Sequence, residues 1–391
     1  MEKVIFEHQK EYGCKPDVIT TAPGRFHLIG EHTWFFKDKT LSMAIDFPVY
    51  VAVSKREDQT LKFNFVQLDE KKRCSLSVIK FKKEDKWANA LKAVIYSFLS
   101  EKFEFPGMNF TVYTDILPSA GFGITTAIKI AAAWALRELN HFRISDERLI
   151  SIVEKANRQF LNSENRKADN FAAVYSKKNS VVVTDYSENS YKIIPFSFED
   201  HTIILTDTGV PRVFTWNEES ILQPENVLLL GELKNRKSNV FGGWTYEENS
   251  SEISEVFSVT TEEVKRRLVC TMHEHKCVLD AVSALEKKEF EPFARAVEKS
   301  HCNMRDLYDI SCPEIDWLVK RVYGLDENPV DLRNPVNCGR ITGKGFGRCT
   351  YSIIRNSDVD KFKEKLGEFE RIFGFSPKCY IVKPSSGVKI L

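Results

Sequence analysis

The segment Asp115 to Leu136, DILPSAGFGITTAIKIAAAWAL, constrains this chain more than any other. It follows an extended run, Met108 to Thr114 (MNFTVYT), and passes Pro118 into a loop poor in side chain around Gly121 and Gly123. Two threonines and an Ala-rich, helix-forming run come next. A strand, a small-residue loop and a helix in that order leave the first helical N–H groups without intrahelical partners. That helix end carries about half a positive charge and suits a phosphate, and glycine lets the backbone approach the anion. Thr125 and Thr126 offer hydroxyls to a phosphate oxygen or to its Mg²⁺. Taken alone, the pattern more often marks a plain βα turn before a buried helix.

A length of 391 residues implies two domains with ample core, which we divide at 1–195 and 196–391 where the pattern changes around Pro195. Lys and Arg number 56 against 55 Asp and Glu, so no overall field draws the chain to nucleic acid or an acidic membrane. The N-terminal MEKVIFEHQK lacks the basic-then-apolar pattern of a signal peptide, and no apolar run reaches membrane-spanning length. Nine cysteines without a CxxC pair are expected to be reduced thiols of a cytoplasmic protein. His273 and Cys277, four apart on a predicted helix, are expected to pack rather than to ligate a metal, for want of two further ligands.

Along the chain, Glu2 to Tyr12 reads as an amphipathic helix ended by Gly13, and Asp17 to Phe35 as a β-rich run with a Pro-Gly turn. Thr40 to Glu57 and Thr60 to Asp69 read as strands, and Lys86 to Glu101 as a helix. Ser145 is the expected N-cap of the next helix, with Asp146 and Glu147 in its first turn. Asp169 is expected in a polar loop before the strand Ser180 to Tyr186. A strand from His201, helices from Thr261, Phe290 and Pro313, a Gly-rich loop feeding a strand over Cys338 to Arg355 and a helix capped at Ser357 follow. Strands and helices alternate without a βαβ period, which predicts an α+β fold.

Three separated stretches resemble one family. Ala22 to Phe35 (APGRFHLIGEHTWF) is similar to the galactokinase opening A-P-G-R-V-N-L-I-G-E-H-T-D-Y. Ser300 to Val319 (SHCNMRDLYDISCPEIDWLV) resembles S-H-x-S-L-R-D-x-Y-E-V-S-C-P-E-L-D-x-L-V, and Gly339 to Thr350 (GRITGKGFGRCT) resembles R-M-T-G-A-G-F-G-G-C-T. The resemblance, to the galactokinase-like branch of the GHMP small-molecule kinases, implies an N-terminal domain like domain 2 of ribosomal protein S5 and a ferredoxin-like C-terminal domain. It implies ATP and Mg²⁺ as cofactors and a small-molecule sugar as substrate, meeting in an interdomain cleft, in a monomer or weak dimer. The γ-phosphate would pass to the anomeric hydroxyl, a reaction that needs positioning and charge neutralisation.

By the same resemblance Arg25 would stabilise charge on the transferring phosphate and Asp169 would orient the hydroxyl and take its proton. Glu31 and His32 would hold sugar hydroxyls, while Gly121, Gly123, Thr125, Thr126, Gly343 and Gly345 would line the nucleotide, with Thr125 on the metal. Gly347 belongs to the same loop, and Asp207 ends a structural strand. The departures cluster among these positions. Trp34 stands where the family has a ring-gripping aspartate, Asn157 where it has a glutamate that helps to hold Mg²⁺, and Arg166 where it has a glycine beside the sugar. Trp34 and Arg166 would therefore reshape sugar binding, and Lys344 and Arg348 add cations to a loop of small residues. Two readings stay open: a galactokinase-like sugar 1-kinase that acts on galactose or a related monosaccharide with altered preference, and a catalytically degenerate relative that binds sugar or nucleotide as a regulator.

Overall fold

The computed structural model describes residues 1–32, 38–115, 122–163, 167–211, 261–325, 334–343, 345 and 347–391. They divide into two compact units, Met1–Phe26 with Met43–Val182 and Lys383–Leu391, and His27–Ser42 with Val183–Val382. The sequence places one soft boundary near Pro195. The chain instead changes unit inside β1 (Val18–Ile29), inside β2 (Lys39–Lys55), inside β6 (Ser180–Asp185) and after β11 (Lys378–Val382).

The first unit is built on a sheet whose path reads β12 (Lys389–Ile390), β1, β2, β5 (Met108–Thr114), β3 (Thr60–Phe65) and β4 (Glu70–Ser75). β2 and β5 run antiparallel from Val49 opposite Thr114 to Lys55 opposite Met108, whereas β3 lies parallel to β5. Every residue of β5 is buried, as its apolar run predicts. β4 (EKKRCS) alternates half-buried and exposed residues and has too little apolar content to be legible as a strand; its lysines suit a sheet edge.

Helix α1 (Glu2–Tyr12) ends at Gly13, left-handed at φ 73°, and seats His8 between Thr111 Oγ1 at 2.9 Å and Ser54 Oγ at 3.0 Å. Helix α2 (Ala88–Ser100) and helix α3 (Ile124–Leu139) carry the core. The alanines of α3 allow burial on nearly every face, and the Ala131 carbonyl also accepts from Thr20 Oγ1 at 2.8 Å. Helix α4 (Asp146–Gln159) is capped as expected, with Ser145 Oγ accepting from Arg148 N at 3.3 Å. Asp169, expected in a loop, lies in the first turn of helix α5 (Lys167–Tyr175). The run KADNFAAVY is rich enough in alanine to be helical, and the N-terminal dipole favours an acid there.

The second unit holds an antiparallel sheet ordered β11, β8 (His201–Asp207), β10 (Cys349–Arg355) and β9 (Cys338–Ile341). Helices α6 (Glu262–Lys287), α7 (Phe290–Cys302), α8 (Pro313–Tyr323) and α9 (Val359–Phe373) belong to the same unit. Ile204, Leu318, Val322, Ile354, Phe362 and Phe369 form one apolar cluster, and Cys270, Met304, Tyr308, Ile310 and Val319 another. α7 widens into a π turn over Asn303–Leu307. The N-cap of helix α9 (Val359–Phe373) is Asp358, one residue later than the expected Ser357, and it makes no side-chain cap bond. The alternation of sheet and helix is the expected α+β arrangement. Among the described residues all nine cysteines are free, and no helix is long and apolar enough to cross a membrane.

Candidate active site

Two groups of side chains stand out, one in each unit. In the first, β1 places Arg25 so that its N–H donates to the Phe122 carbonyl at 2.9 Å. Its guanidinium reaches α5, with Nη2 2.8 Å from Asp169 Oδ2, both side chains being mostly buried. Gly123 caps α3 at φ 78°, and a Cβ there would lie 2.9 Å from Arg25 Cγ and 3.2 Å from its Cζ and Nε. The glycine is therefore required twice, for its left-handed backbone and for the arginine that lies across it. Thr126 is buried in the first turn of α3, and Thr125 beside it is exposed.

Lys129 is not legible as a site residue in the sequence, although a lone lysine within AIKIAAAW is an odd choice for a buried helix face. Its ammonium is buried and donates to Asn157 Oδ1. Burial, the largest influence, and Arg25 push its pKa down while Asp169 pulls it back up, and together they leave it at about 8. Asn157, the position expected to help hold Mg²⁺, thus already serves a cation. Among the described residues no group of three His, Cys, Asp or Glu is spaced to hold a metal, and Thr125 has no acid beside it in sequence. Asn157 is a poor ligand for a hard divalent ion, because it is a neutral amide already occupied by an ammonium.

In the second unit, Glu31 follows β1 and is almost fully buried. Its Oε1 lies 2.7 Å from Arg340 Nη1, and Arg340 on β9 is itself fully buried. Arg340 also donates from Nε to Ser300 Oγ at 2.7 Å and approaches Glu274 Oε2 at 3.4 Å. Glu274 accepts in addition from Ser300 Oγ at 2.8 Å and from Asn303 Nδ2 at 3.0 Å, the latter supplied by the π turn. Burial would raise the Glu31 carboxyl, but Arg340 and His32 outweigh it and hold it below the usual carboxylate range. Burial raises Glu274 despite the more distant Arg340, and Glu31 adds like-charge repulsion. His32 is buried too, with its ring 5.3 Å from that of Tyr308 and its carbonyl accepting from Tyr308 Oη at 3.2 Å.

The third motif forms the turn between β9 and β10, where Gly343, Gly345 and Gly347 all have positive φ. A Cβ on Gly345 would meet Ile310 Cβ at 2.7 Å, and Thr342 Oγ1 donates to the His27 carbonyl at 3.0 Å. Arg348 pairs with Asp207, its Nε and Nη2 each 3.2 Å from Oδ2. Trp34, Gly121, Arg166 and Lys344 lie outside the described residues.

Comparison with known proteins agrees with the motifs. Residues 7–55 match the galactokinase galactose-binding signature and residues 89–177 match the N-terminal domain of GHMP kinases. A Treponema pallidum protein named provisionally as a galactokinase is 38% identical, with 100% of this chain and 97% of that protein covered. A galactokinase of Clostridium beijerinckii is 27% identical over 97% of this chain and 96% of its own. Among solved structures, Lactococcus lactis galactokinase complexed with galactose superposes with a TM-score of 0.83 at 19% identity, covering 100% of this chain and 99% of that one. Mevalonate kinase of Methanococcus jannaschii follows at 0.64 and 15%, covering 94% and 98%. The fold is that of the GHMP kinases, and the comparisons favour the kinase reading over the regulator.

Proposed function

Because the chain belongs to the galactokinase family and is an ATP-dependent sugar kinase, we propose that it phosphorylates galactose at the anomeric hydroxyl with Arg25 and Asp169 as its reacting pair. The observation that carries the assignment is the 2.8 Å contact between Arg25 Nη2 and Asp169 Oδ2 beside the glycine cap of α3. In this reading the sugar O–H bond breaks as the new O–P bond forms. The proton goes to the Asp169 carboxylate, and the P–O bond to ADP breaks as ADP leaves with its electron pair. Arg25 spreads its fixed charge over the transferring group, while its contact with Asp169 keeps it from swinging away.

Lys129 adds a second buried cation to this group, which supports a phosphate there beside the reacting hydroxyl. Mg²⁺ would arrive on the ATP phosphates, and no step here is assigned to a metal held by the chain. Glu31, with Oε2 buried and accepting from no described residue, is suited to a sugar hydroxyl. We assign the protein to the cytoplasm on its nine free thiols and expect a monomer or weak dimer.

Asp169→Asn tests the assignment. ADP release with ATP and galactose should fall by about 10² to 10⁴, while calorimetric ATP affinity stays within a few-fold. Equal turnover by the variant and the wild type removes Asp169 from the chemistry.

A further inference from the structure

The connection between β1 and β2 carries two buried acids, Glu31 just after β1 and Asp38 just before β2. The two chain segments meet at Gly30, whose carbonyl accepts from Thr40 Oγ1 at 2.9 Å. A Cβ on Gly30 would lie 2.4 Å from the Lys39 carbonyl oxygen, so the approach is close. Glu31 and Asp38 are each the next residue beyond that meeting point. Between them the sequence HTWFFK holds no acid.

The two carboxylates are built alike. Glu31 Oε1 is held by Arg340 Nη1, and Asp38 Oδ1 accepts from His275 Nδ1 at 2.6 Å and from Lys39 N at 2.7 Å. The second oxygen of each, Glu31 Oε2 and Asp38 Oδ2, is sealed from solvent and accepts no hydrogen bond from a described residue. Of the two lysines that flank Asp38 in sequence, Lys39 is engaged by Asp185 Oδ2 and Lys37 lies outside the described residues. One oxygen of each acid is thus fixed in place while the other is buried and bare. Buried charged acceptors are seldom left in that state, because the group has lost its water and gained nothing in return. A ligand that brings hydroxyl donors supplies what both lack.

We propose that Asp38 is a specificity-determining residue of the sugar site, its Oδ2 accepting from one ring hydroxyl while Glu31 Oε2 accepts from another. The inference rests on the sugar-kinase reading above. His275 is a positioning residue in it: by holding Oδ1 it fixes the direction in which Oδ2 points.

The experiment uses the full chain and measures galactose and its monodeoxy analogues, by steady-state turnover and by calorimetric binding, for wild type and Asp38→Asn. The asparagine keeps the shape and an acceptor for His275 but removes the charge. Loss of a charged hydrogen bond should lower kcat/KM for galactose about 10- to 100-fold, through the sugar KM, with the ATP KM and the melting temperature unchanged. One analogue, lacking the hydroxyl that faces Asp38, should be poor for wild type and lose nothing further in the variant. An Asp38→Asn enzyme within twofold of wild type on galactose overturns the proposal, as does an equal added loss on every analogue. Should Asp38→Asn melt early, Asp38→Ser is read in the same way. If wild type turns over no sugar, the kinase reading fails by itself and calorimetry still decides: lost galactose affinity in the variant supports Asp38, whereas unchanged affinity, or no binding by wild type, overturns it.

Discussion

Gly123→Ala probes the Arg25 geometry through a single methyl group. The new Cβ would stand 2.9 Å from Arg25 Cγ and 3.2 Å from Cζ and Nε. Carbon atoms in ordinary contact sit about 3.5–4.0 Å apart, so the arginine must retreat by roughly 0.6 Å or more. Its bond to Asp169 is 2.8 Å long and has no slack to absorb that movement. Misplacing a reacting group by about 1 Å can cost 10²-fold in rate, and kcat should fall by that order.

Alanine at φ 78° also strains the backbone, by about 1–2 kcal/mol for a left-handed residue. Gly13→Ala separates the two effects, because Gly13 has nearly the same φ, 73°, and a Cβ there would meet nothing within 4 Å. The assay is ADP release against ATP and galactose, run beside thermal unfolding for both variants. Both should melt somewhat earlier, while only Gly123→Ala should lose turnover. A Gly123→Ala enzyme with kcat within twofold of wild type would refute the reasoning, and so would a Gly13→Ala enzyme equally impaired.

Lys129→Met should raise stability at neutral pH and flatten its dependence on alkali. The folded ammonium titrates near 8 against 10.5 for a free lysine, so between those values the unfolded chain binds the extra proton and stability climbs with pH. The shift corresponds to roughly 3 kcal/mol, a cost fully present below pH 8 and gone above about 10.5; denaturant melts at pH 7 and pH 10 measure it. Arg340→Met should destabilise by about 3–5 kcal/mol, since it strands Glu31 and Glu274 in the core. Adding Glu274→Gln should recover part of that loss in urea unfolding, and no recovery would mean that the two acids are not the cause.

The parts of the fold legible in the sequence are those set by neighbours along the chain. Gly13 ends α1, Ser145 caps α4, and MNFTVYT is a buried strand, each decided within a few residues. Asp169 reads as a loop residue because the polar residues before it hide the start of a short helix. Arg340 illustrates what periodicity cannot reach: its partners Glu31 and Glu274 are 309 and 66 residues away. Its burial follows from three distant elements closing around it, and nothing in CGRI as a strand foretells an ion network. Asp38 and Lys129 escape a sequence reading for the same reason, each being an ordinary charged residue until its surroundings exclude water.

The two groups differ in sign, and that difference bears on what each can bind. Around Arg25 two cations face one acid, since Lys129 joins the arginine against Asp169, and the excess is positive. Around Arg340 the order reverses: one guanidinium serves Glu31 and Glu274, and Asp38 adds a third carboxylate in the same unit. Phosphate oxygens only accept hydrogen bonds, so they gain from the first arrangement and would be repelled by the second. Sugar hydroxyls donate as well as accept, so they can satisfy bare carboxylate oxygens without bringing a charge that must itself be buried. A positive group with one acid also suits proton transfer from a neutral hydroxyl to a carboxylate, because the surplus cation remains to offset charge that develops on the phosphate. The polarity of the buried residues thus favours nucleotide at Arg25 and carbohydrate at Glu31, on grounds independent of sequence similarity.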